Sequence, residues 1–308
     1  MKDKIAFIAG HTRGGSTLLS ILLGQQADTF AAGELHRIWR AGFLDNELCT
    51  CGKPFQECDF WNEVIRSAFG GWDQVNPQEM ISLTNDVFSA GRMPFLLYPS
   101  ISPSWYKEKL NFILDVWGKL YQGIQKISGS RIIVDSSKVS IYSLALNLLL
   151  DFDVHTIHLN RHSCGVVYSK QKSVKREEIY WETAYMDKYS PFFSSRKWVM
   201  RNLSAGILKY TTSKYFHLKY ETLAESPQKT LEDVFTFLDI PARELSSLGS
   251  KQAADQQKGH MFGGNPMRFN IRSTSVRLDD AWKTSLPLSQ KFVVYLITWP
   301  VLFLSGYR

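Results

Sequence analysis

Cysteine is scarce in this chain, four in 308 residues, too few for a disulfide framework to carry the fold. Long apolar runs are missing too. The most apolar stretch, 292–304, is 13 residues long and broken by Pro300, short of the ~18 that a spanning helix needs. Near the start, Met-Lys-Asp-Lys leads into the apolar residues 5–9, a run too short for a secretory signal core and without a small-residue cleavage site. The expectation is a cytoplasmic chain with reduced thiols. No low-complexity tract, heptad array or fixed-period repeat occurs, which excludes solenoids and coiled coils. A net charge of +7, from 36 Lys+Arg against 29 Asp+Glu, suits any polyanion. No groove-reading or base-stacking motif accompanies it, so nucleic acid is not an expected partner.

What is present points to a large buried core. Hydrophobic residues make up 44% and aromatics 13% of the chain, and one domain over residues 1–308 is expected. Three short apolar runs, 5–9, 132–134 and 154–159, end in polar residues and precede helical patterns. That rhythm belongs to parallel strands joined by crossover helices, with ligand groups at the strands' carboxyl ends. A fourth strand is predicted at 215–220; beyond it Ser226 can cap a helix with Pro227 in its first position, and Leu231, Val234, Phe235 and Leu238 share one face. The predicted class is α/β, a central parallel β-sheet flanked by helices in the manner of P-loop nucleotide enzymes. Residues 35–130, mostly helical and rich in aromatics, form a predicted insertion that covers the sheet and shapes an acceptor pocket. Its Trp39, Trp61, Trp72, Trp105 and Trp117 are read as packing residues. A helical segment spans roughly 276–308, its apolar stretch read as core packing, with contact to a membrane surface as the alternative.

The sharpest local signal is Gly10-His-Thr-Arg-Gly-Gly-Ser-Thr17, set between a strand and the helical run 18–23. A glycine-rich turn there lets backbone N–H groups converge on an anion, and the helix N-terminus adds partial positive charge. Against the nucleoside-triphosphate pattern G-x-x-x-x-G-K-[ST], the turn keeps Gly10, Gly15 and Thr17 but has Ser16 where the lysine belongs. Arg13 is the nearest substitute cation. A second element lies far along the chain: Arg161 closes a strand, and Ser169 follows eight residues on. The guanidinium offers a fork of donors to a dianionic phosphate, and the serine adds a hydroxyl about two helical turns later.

Thr12-Arg-Gly-Gly-Ser-Thr-Leu-Leu19 resembles the 5′-phosphosulfate loop of the sulfotransferases that use 3′-phosphoadenosine-5′-phosphosulfate (PAPS), and Arg161 to Ser169 resembles their R-x-x-x-x-V-x-x-S 3′-phosphate element. The resemblance extends to Lys219-Tyr-Glu-Thr-Leu223, followed by Pro227 and Phe237-Leu-Asp-Ile240, and to His260-Met-Phe-Gly-Gly-Asn-Pro-Met-Arg268. It implies PAPS as co-substrate, bound by Arg13, Gly14, Gly15, Ser16 and Thr17 at the 5′-phosphosulfate and by Arg161 and Ser169 at the 3′-phosphate. Tyr220 is implied near the adenine, and Gly263, Gly264 and Arg268 near the 3′-phosphate. The implied activity is sulfuryl transfer to a carbohydrate, lipid, phenol or peptide hydroxyl, or to an amine, with no metal required. The histidine that many cytosolic members place after the strand at 131–134 is missing; Asp135-Ser-Ser-Lys138 stands there instead. Glu34, in Ala32-Gly33-Glu34, resembles the G-E element of the tyrosylprotein and related sulfotransferases, which makes it the expected base, with a raised pKa. Asp135 is the runner-up, and Lys138 the expected stabiliser of the leaving oxygen. His36, His155 and His158 are read as structural.

Cys49-Thr-Cys51-Gly and Cys58-Asp-Phe-Trp61 do not have a standard zinc spacing, and no fourth ligand is near in sequence unless His36 folds back. Reduced structural thiols are expected, with a disulfide or a metal as alternatives. Lys170, Lys172, Lys175 and Arg176 form a basic stretch, read as a solvated helix face or as an attractor of an acidic nucleotide or acceptor. Two other functions fit parts of the pattern. A P-loop kinase or ATPase would use Asp135 as a strand-end magnesium ligand, and a non-catalytic binder of polyanions or membrane surfaces would use the net charge and the apolar tail.

Overall fold

The computed structural model describes residues 2–149, 151–240, 259–273 and 276–307. The three apolar runs are strands β1 (Asp3–Gly10), β3 (Ile132–Lys138) and β4 (Phe152–Asn160), and the fourth is β5 (Tyr215–Lys219). One further strand, β2 (Thr29–Gly33), whose apolar part is only Phe30-Ala-Ala, was not among the strands expected. All pairings are parallel, in the order β2-β3-β1-β4-β5. Chain direction reverses at the centre of that order: the chain leaves β1 toward β2 on one side and leaves β4 toward β5 on the other. A crevice therefore opens between the carboxyl ends of β1 and β4.

Alternation along β1 builds two cores. Ile5, Phe7 and Ala9 pack with the insertion, whereas Ala6 and Ile8 pack with α1 (Ser16–Gly24) and with the helices after β5. The insertion comprises short turns followed by α2 (Asp59–Phe69), α3 (Pro77–Val87), α4 (Met93–Leu97) and the 25-residue α5 (Ser104–Ser128). Trp39, Trp61 and Trp117 are fully buried there, Trp72 is half-buried, and Trp105 lies on the surface. Trp117 packs between Trp39 and Tyr142, with ring centroids 5.7 and 4.9 Å away. Beyond β3 come α6 (Ser140–Leu146), α7 (Ser163–Gln171) after β4, and α8 (Pro191–Thr211). After β5 follow α9 (Tyr220–Glu225) and α10 (Pro227–Phe237). α10 starts at the expected proline and buries Leu231, Val234 and Phe235, but the Ser226 side chain makes no capping bond.

The C-terminal helix, Leu288–Leu304, is only in part the core element expected. Val294, Thr298, Val301 and Leu302 are buried, but Leu288, Phe292, Leu296, Trp299 and Phe303 are exposed. Among the described residues no helix is long and apolar enough to cross a membrane. Because Ile5 and Phe7 share one core with Trp39, Trp61 and Trp117, sheet and insertion should unfold together. Trp117→Ala should cost about 3–5 kcal/mol, read as a lower urea midpoint, with circular dichroism and tryptophan fluorescence still tracing one transition. Two separated transitions would contradict the shared core.

Candidate active site

The turn after β1 depends on two close approaches. A Cβ on Gly10, whose φ is +140°, would lie 2.3 Å from the Leu159 carbonyl oxygen of β4. One on Gly15, at φ +96°, would lie 2.5 Å from the Tyr220 ring. Between them Arg13 takes a left-handed φ of 66°, and α1 begins at Ser16 without a side-chain cap, its first residues lining the crevice.

Arg161 follows β4 directly, and its Nη1 donates to the Arg13 carbonyl oxygen at 3.2 Å across 148 residues of sequence. Its Nη2 donates to the Asp279 backbone oxygen at 2.8 Å and pairs with the Asp279 carboxylate at 3.1 Å. The guanidinium also lies 4.5 Å from the centre of the Tyr220 ring. Arg13, Gly15, Ser16, Thr17, Glu34, Lys138, Arg161, Ser169 and Tyr220 all line one cavity of about 860 Å³, within the range of small-ligand sites.

That cavity is strongly cationic. Among the described residues, Arg13, Arg37, Lys138, Arg161, Lys170, Lys197, Arg201 and Arg277 face two carboxylates, Glu34 and Asp279. Burial and then the neighbouring Arg161 lower the Arg13 pKa, and burial followed by Arg13 and Lys197 lowers that of Lys170 to about 8. Both shifts arise first from burial and only then from crowded positive charge, the part that a bound anion would relieve. His11 and His36 also line the walls; burial lowers their pKa to about 4 and about 3, so both rings are neutral near pH 7. The rest of the basic stretch does other work, with Lys172 on Asp279 at 3.5 Å and Arg176 on Glu47 at 2.6 Å.

Glu34 leaves the end of β2 and meets Lys138 at the end of β3. Lys138 Nζ donates to Glu34 Oε1 and, at 2.8 Å, to the Ser136 carbonyl oxygen. A bulge in β3 between the residues opposite Phe7 and Ala9, with a left-handed φ of 68° at Lys138, aims this ammonium over the sheet edge. The raised pKa expected of Glu34 is not found. Burial pushes it up, but Lys138, Arg37 and His36 pull it down to a net value of about 2. Asp135, by contrast, is raised to about 6 by burial, against the hydrogen bonds it accepts from Ser137 and Tyr121. Its carboxylate is engaged by Tyr121 Oη at 2.5 Å and the Ser137 amide at 2.8 Å beneath the insertion, and it does not line the cavity.

Two other expected site residues also stay out of the walls. Gly14 turns the backbone behind the cradle, its amide bonded to the His11 carbonyl at 3.2 Å. Arg268 is buried, with Nη1 donating to the Gly264 carbonyl at 2.9 Å. Its loop sits at the opposite end from that expected: the Asn265 amide donates to Thr17 Oγ1 at 3.0 Å, and Gly263 abuts Glu34. His158 bridges Tyr215 and Asn202 at 2.7 and 3.0 Å, and His155 bonds the Phe237 carbonyl at 3.0 Å; both are structural. Lys197, Arg201, Arg277 and Asp279 were not foreseen as wall residues, because no motif surrounds them and only the folding of α8 and the 276–280 segment brings them in.

The Sulfotransferase family model matches residues 6–244, and the chain belongs to that family. Among solved structures, the sulfotransferase domain from the Synechococcus PCC 7002 olefin synthase is 18% identical with a TM-score of 0.53, over 100% of this chain and 97% of that one. The sulfotransferase domain from the curacin biosynthetic pathway is 19% identical with a TM-score of 0.50, over 100% and 99%. These likenesses show a shared P-loop-like sulfotransferase fold.

The Glu34–Lys138 pair gives a pH signature with a definite sign. A carboxylate whose folded pKa is depressed to about 2 adds stability that is complete above its unfolded value near ~4.3 and is lost as pH falls toward 2. Titration of the unfolded chain is common to wild type and Lys138→Met and cancels, so the stability gap, from urea midpoints, should shrink as pH falls and the unpartnered Glu34 of the variant takes up a proton that the wild type still refuses. A gap independent of pH down to 3 would contradict the pairing.

Proposed function

We propose that this chain transfers a sulfuryl group from PAPS to a hydroxyl or amine acceptor by in-line displacement, releasing adenosine 3′,5′-bisphosphate. The observation that carries this reading is the meeting of Arg13 and Arg161 in one cavity at the β1–β4 crevice, linked at 3.2 Å. In this reading the amides and hydroxyls of residues 15–17, with Arg13, hold the 5′-phosphosulfate. Arg161 and Ser169 hold the 3′-phosphate, and the Tyr220 ring flanks the nucleotide between them.

Transfer requires an acceptor that loses its proton as it attacks and positive charge on the bridging oxygen as it leaves. Glu34 is ionised at neutral pH and so is free to take a proton, but its contact with Lys138 makes it a weak base. A phosphosulfate seated on the cradle competes for the Lys138 ammonium. As Nζ turns to the bridging oxygen, Glu34 Oε1 is released and its basicity rises. One resting ion pair thus becomes two catalytic groups. A sulfuryl group carries less charge than a γ-phosphoryl group, so this chemistry can proceed without the magnesium that kinases use. Phe88, Met93, Met186, Tyr189 and Met200 also line the cavity and favour an acceptor with an apolar part, such as a phenol or lipid alcohol. The kinase reading loses its magnesium ligand, since Asp135 is held by Tyr121 and Ser137 away from the cavity.

In a thermal-shift assay PAPS should raise the melting temperature of the chain, and ATP with magnesium should not. Glu34→Gln should keep that shift while losing about 10²–10⁴ in turnover with labelled PAPS and whichever phenol, lipid, sugar or peptide acceptor the wild type uses. A shift with ATP alone would end the sulfotransferase reading, and a fully active Glu34→Gln would end the role of Glu34.

A further inference from the structure

Cys49, Cys51 and Cys58 were expected to stay reduced for want of a fourth ligand, yet the fold supplies one from far along the chain. His260 lies 202 residues beyond Cys58, and its Nδ1 is 3.2 Å from Cys58 Sγ and 3.8 Å from Cys49 Sγ. Cys58 Sγ is 3.7 Å from Cys49 Sγ and 3.6 Å from Cys51 Sγ, and all four atoms lie within 4.8 Å of one another. A tetrahedral ion with Zn–S bonds of ~2.3 Å and a Zn–N bond of ~2.0 Å has S···S edges of about 3.8 Å and S···N edges of about 3.5 Å. The four separations just given lie within about 0.3 Å of those edges. A disulfide would use two of the three sulfurs and leave the imidazole, aimed at them, unexplained.

The surroundings are built to match. Backbone N–H groups of Cys51, Lys53 and Trp61 favour the thiolate forms of Cys49, Cys51 and Cys58 respectively, as a ligand set needs. The imidazole is fixed from outside: Phe60 stacks on it at 4.9 Å with planes 10° apart, and Trp61 Nε1 donates to the His260 carbonyl at 2.9 Å.

We infer that Cys49, Cys51, Cys58 and His260 Nδ1 form a closed structural zinc site that clips the helical insertion to the loop over the cradle. Three thiolates and one imidazole select zinc among the common divalent ions. Four protein ligands leave no open position for chemistry, and none of the four lines the cavity. The clip's consequence runs along the loop. Two residues on, the Phe262 amide bonds the Ala32 carbonyl at 2.9 Å and its carbonyl accepts from the Glu34 amide at 2.7 Å; the Asn265 amide then reaches Thr17 Oγ1 at 3.0 Å. Metal at His260 therefore sets the position of the strand end that carries Glu34.

The inference does not depend on the donor or acceptor, because its test reads metal. The purified full chain should contain about one zinc per molecule by elemental analysis, released in proportion when a mercurial reagent titrates the native thiols and the metal dye 4-(2-pyridylazo)resorcinol reports it. Cobalt(II) added after chelation should give thiolate charge-transfer absorption. Cys58→Ser and His260→Ala should lose the metal, whereas Cys164→Ser, whose thiol is buried elsewhere on α7, should keep it. Should the ligand variants fail to fold, zinc content and release from the wild-type chain decide. Folded wild-type chain without zinc that also fails to take up cobalt, or a disulfide between any two of the three cysteines, would overturn the site.

Discussion

Parallel pairing of β1 with β4 is the constraint on which the site rests. Register runs from Asp3↔Phe152 to Gly10↔Leu159, so both strands end at one level and the loops starting at residues 11 and 161 open on the same side of the sheet. Leu159's carbonyl comes so near Gly10 that no side chain could stand there. The glycine thus serves strand contact as much as anion contact. From that junction Arg13 and Arg161 face a common space though they are 148 residues apart.

Bringing so many cations together has a cost in the unliganded chain. Among the described residues, eight lysine and arginine side chains share walls with two carboxylates, and the downward shifts at Arg13 and Lys170, caused first by burial, include that mutual repulsion. The two carboxylates hold the nearest cations in check: Asp279 restrains Arg161 and Lys172, and Glu34 restrains Lys138 and, at 3.9 Å, Arg37. A polyanionic donor of the kind proposed above would replace those restraints with its own charges, the arrangement expected where stability is given up for function.

Much of this was legible from residues alone, for identifiable reasons. Residues 5–9 and 132–134 are buried on both faces and so read as continuous apolar runs, whereas 154–159, equally buried, interleaves His155, Thr156 and His158 with its apolar residues. The glycine-rich turn and the Arg161 to Ser169 spacing are local, and local patterns survive in a one-dimensional text. β2 was invisible because Thr29–Gly33 sits at the sheet edge and is short, with two small alanines and no β-branched aliphatic residue. The lowered pKa of Glu34 was unreadable because Lys138 reaches it only through a bulge and a left-handed backbone. His260's approach to the cysteines depends on the Phe262 bridge beside β2, a long-range contact without a sequence period. Arg268 matched a motif, yet it turned inward beneath Gly264.

Calorimetric binding of three nucleotides to wild type, Arg13→Ala and Arg161→Ala tests the central claim most directly. The nucleotides are adenosine 3′,5′-bisphosphate, adenosine 5′-monophosphate and adenosine 3′-monophosphate. If one nucleotide spans both arginines, Arg161→Ala weakens only the two ligands with a 3′-phosphate, and Arg13→Ala only the two with a 5′-phosphate, each by about 10- to 100-fold, as a charged hydrogen bond is worth. Losses that ignore which phosphate is present, or unchanged affinity for the bisphosphate in both variants, would contradict the account.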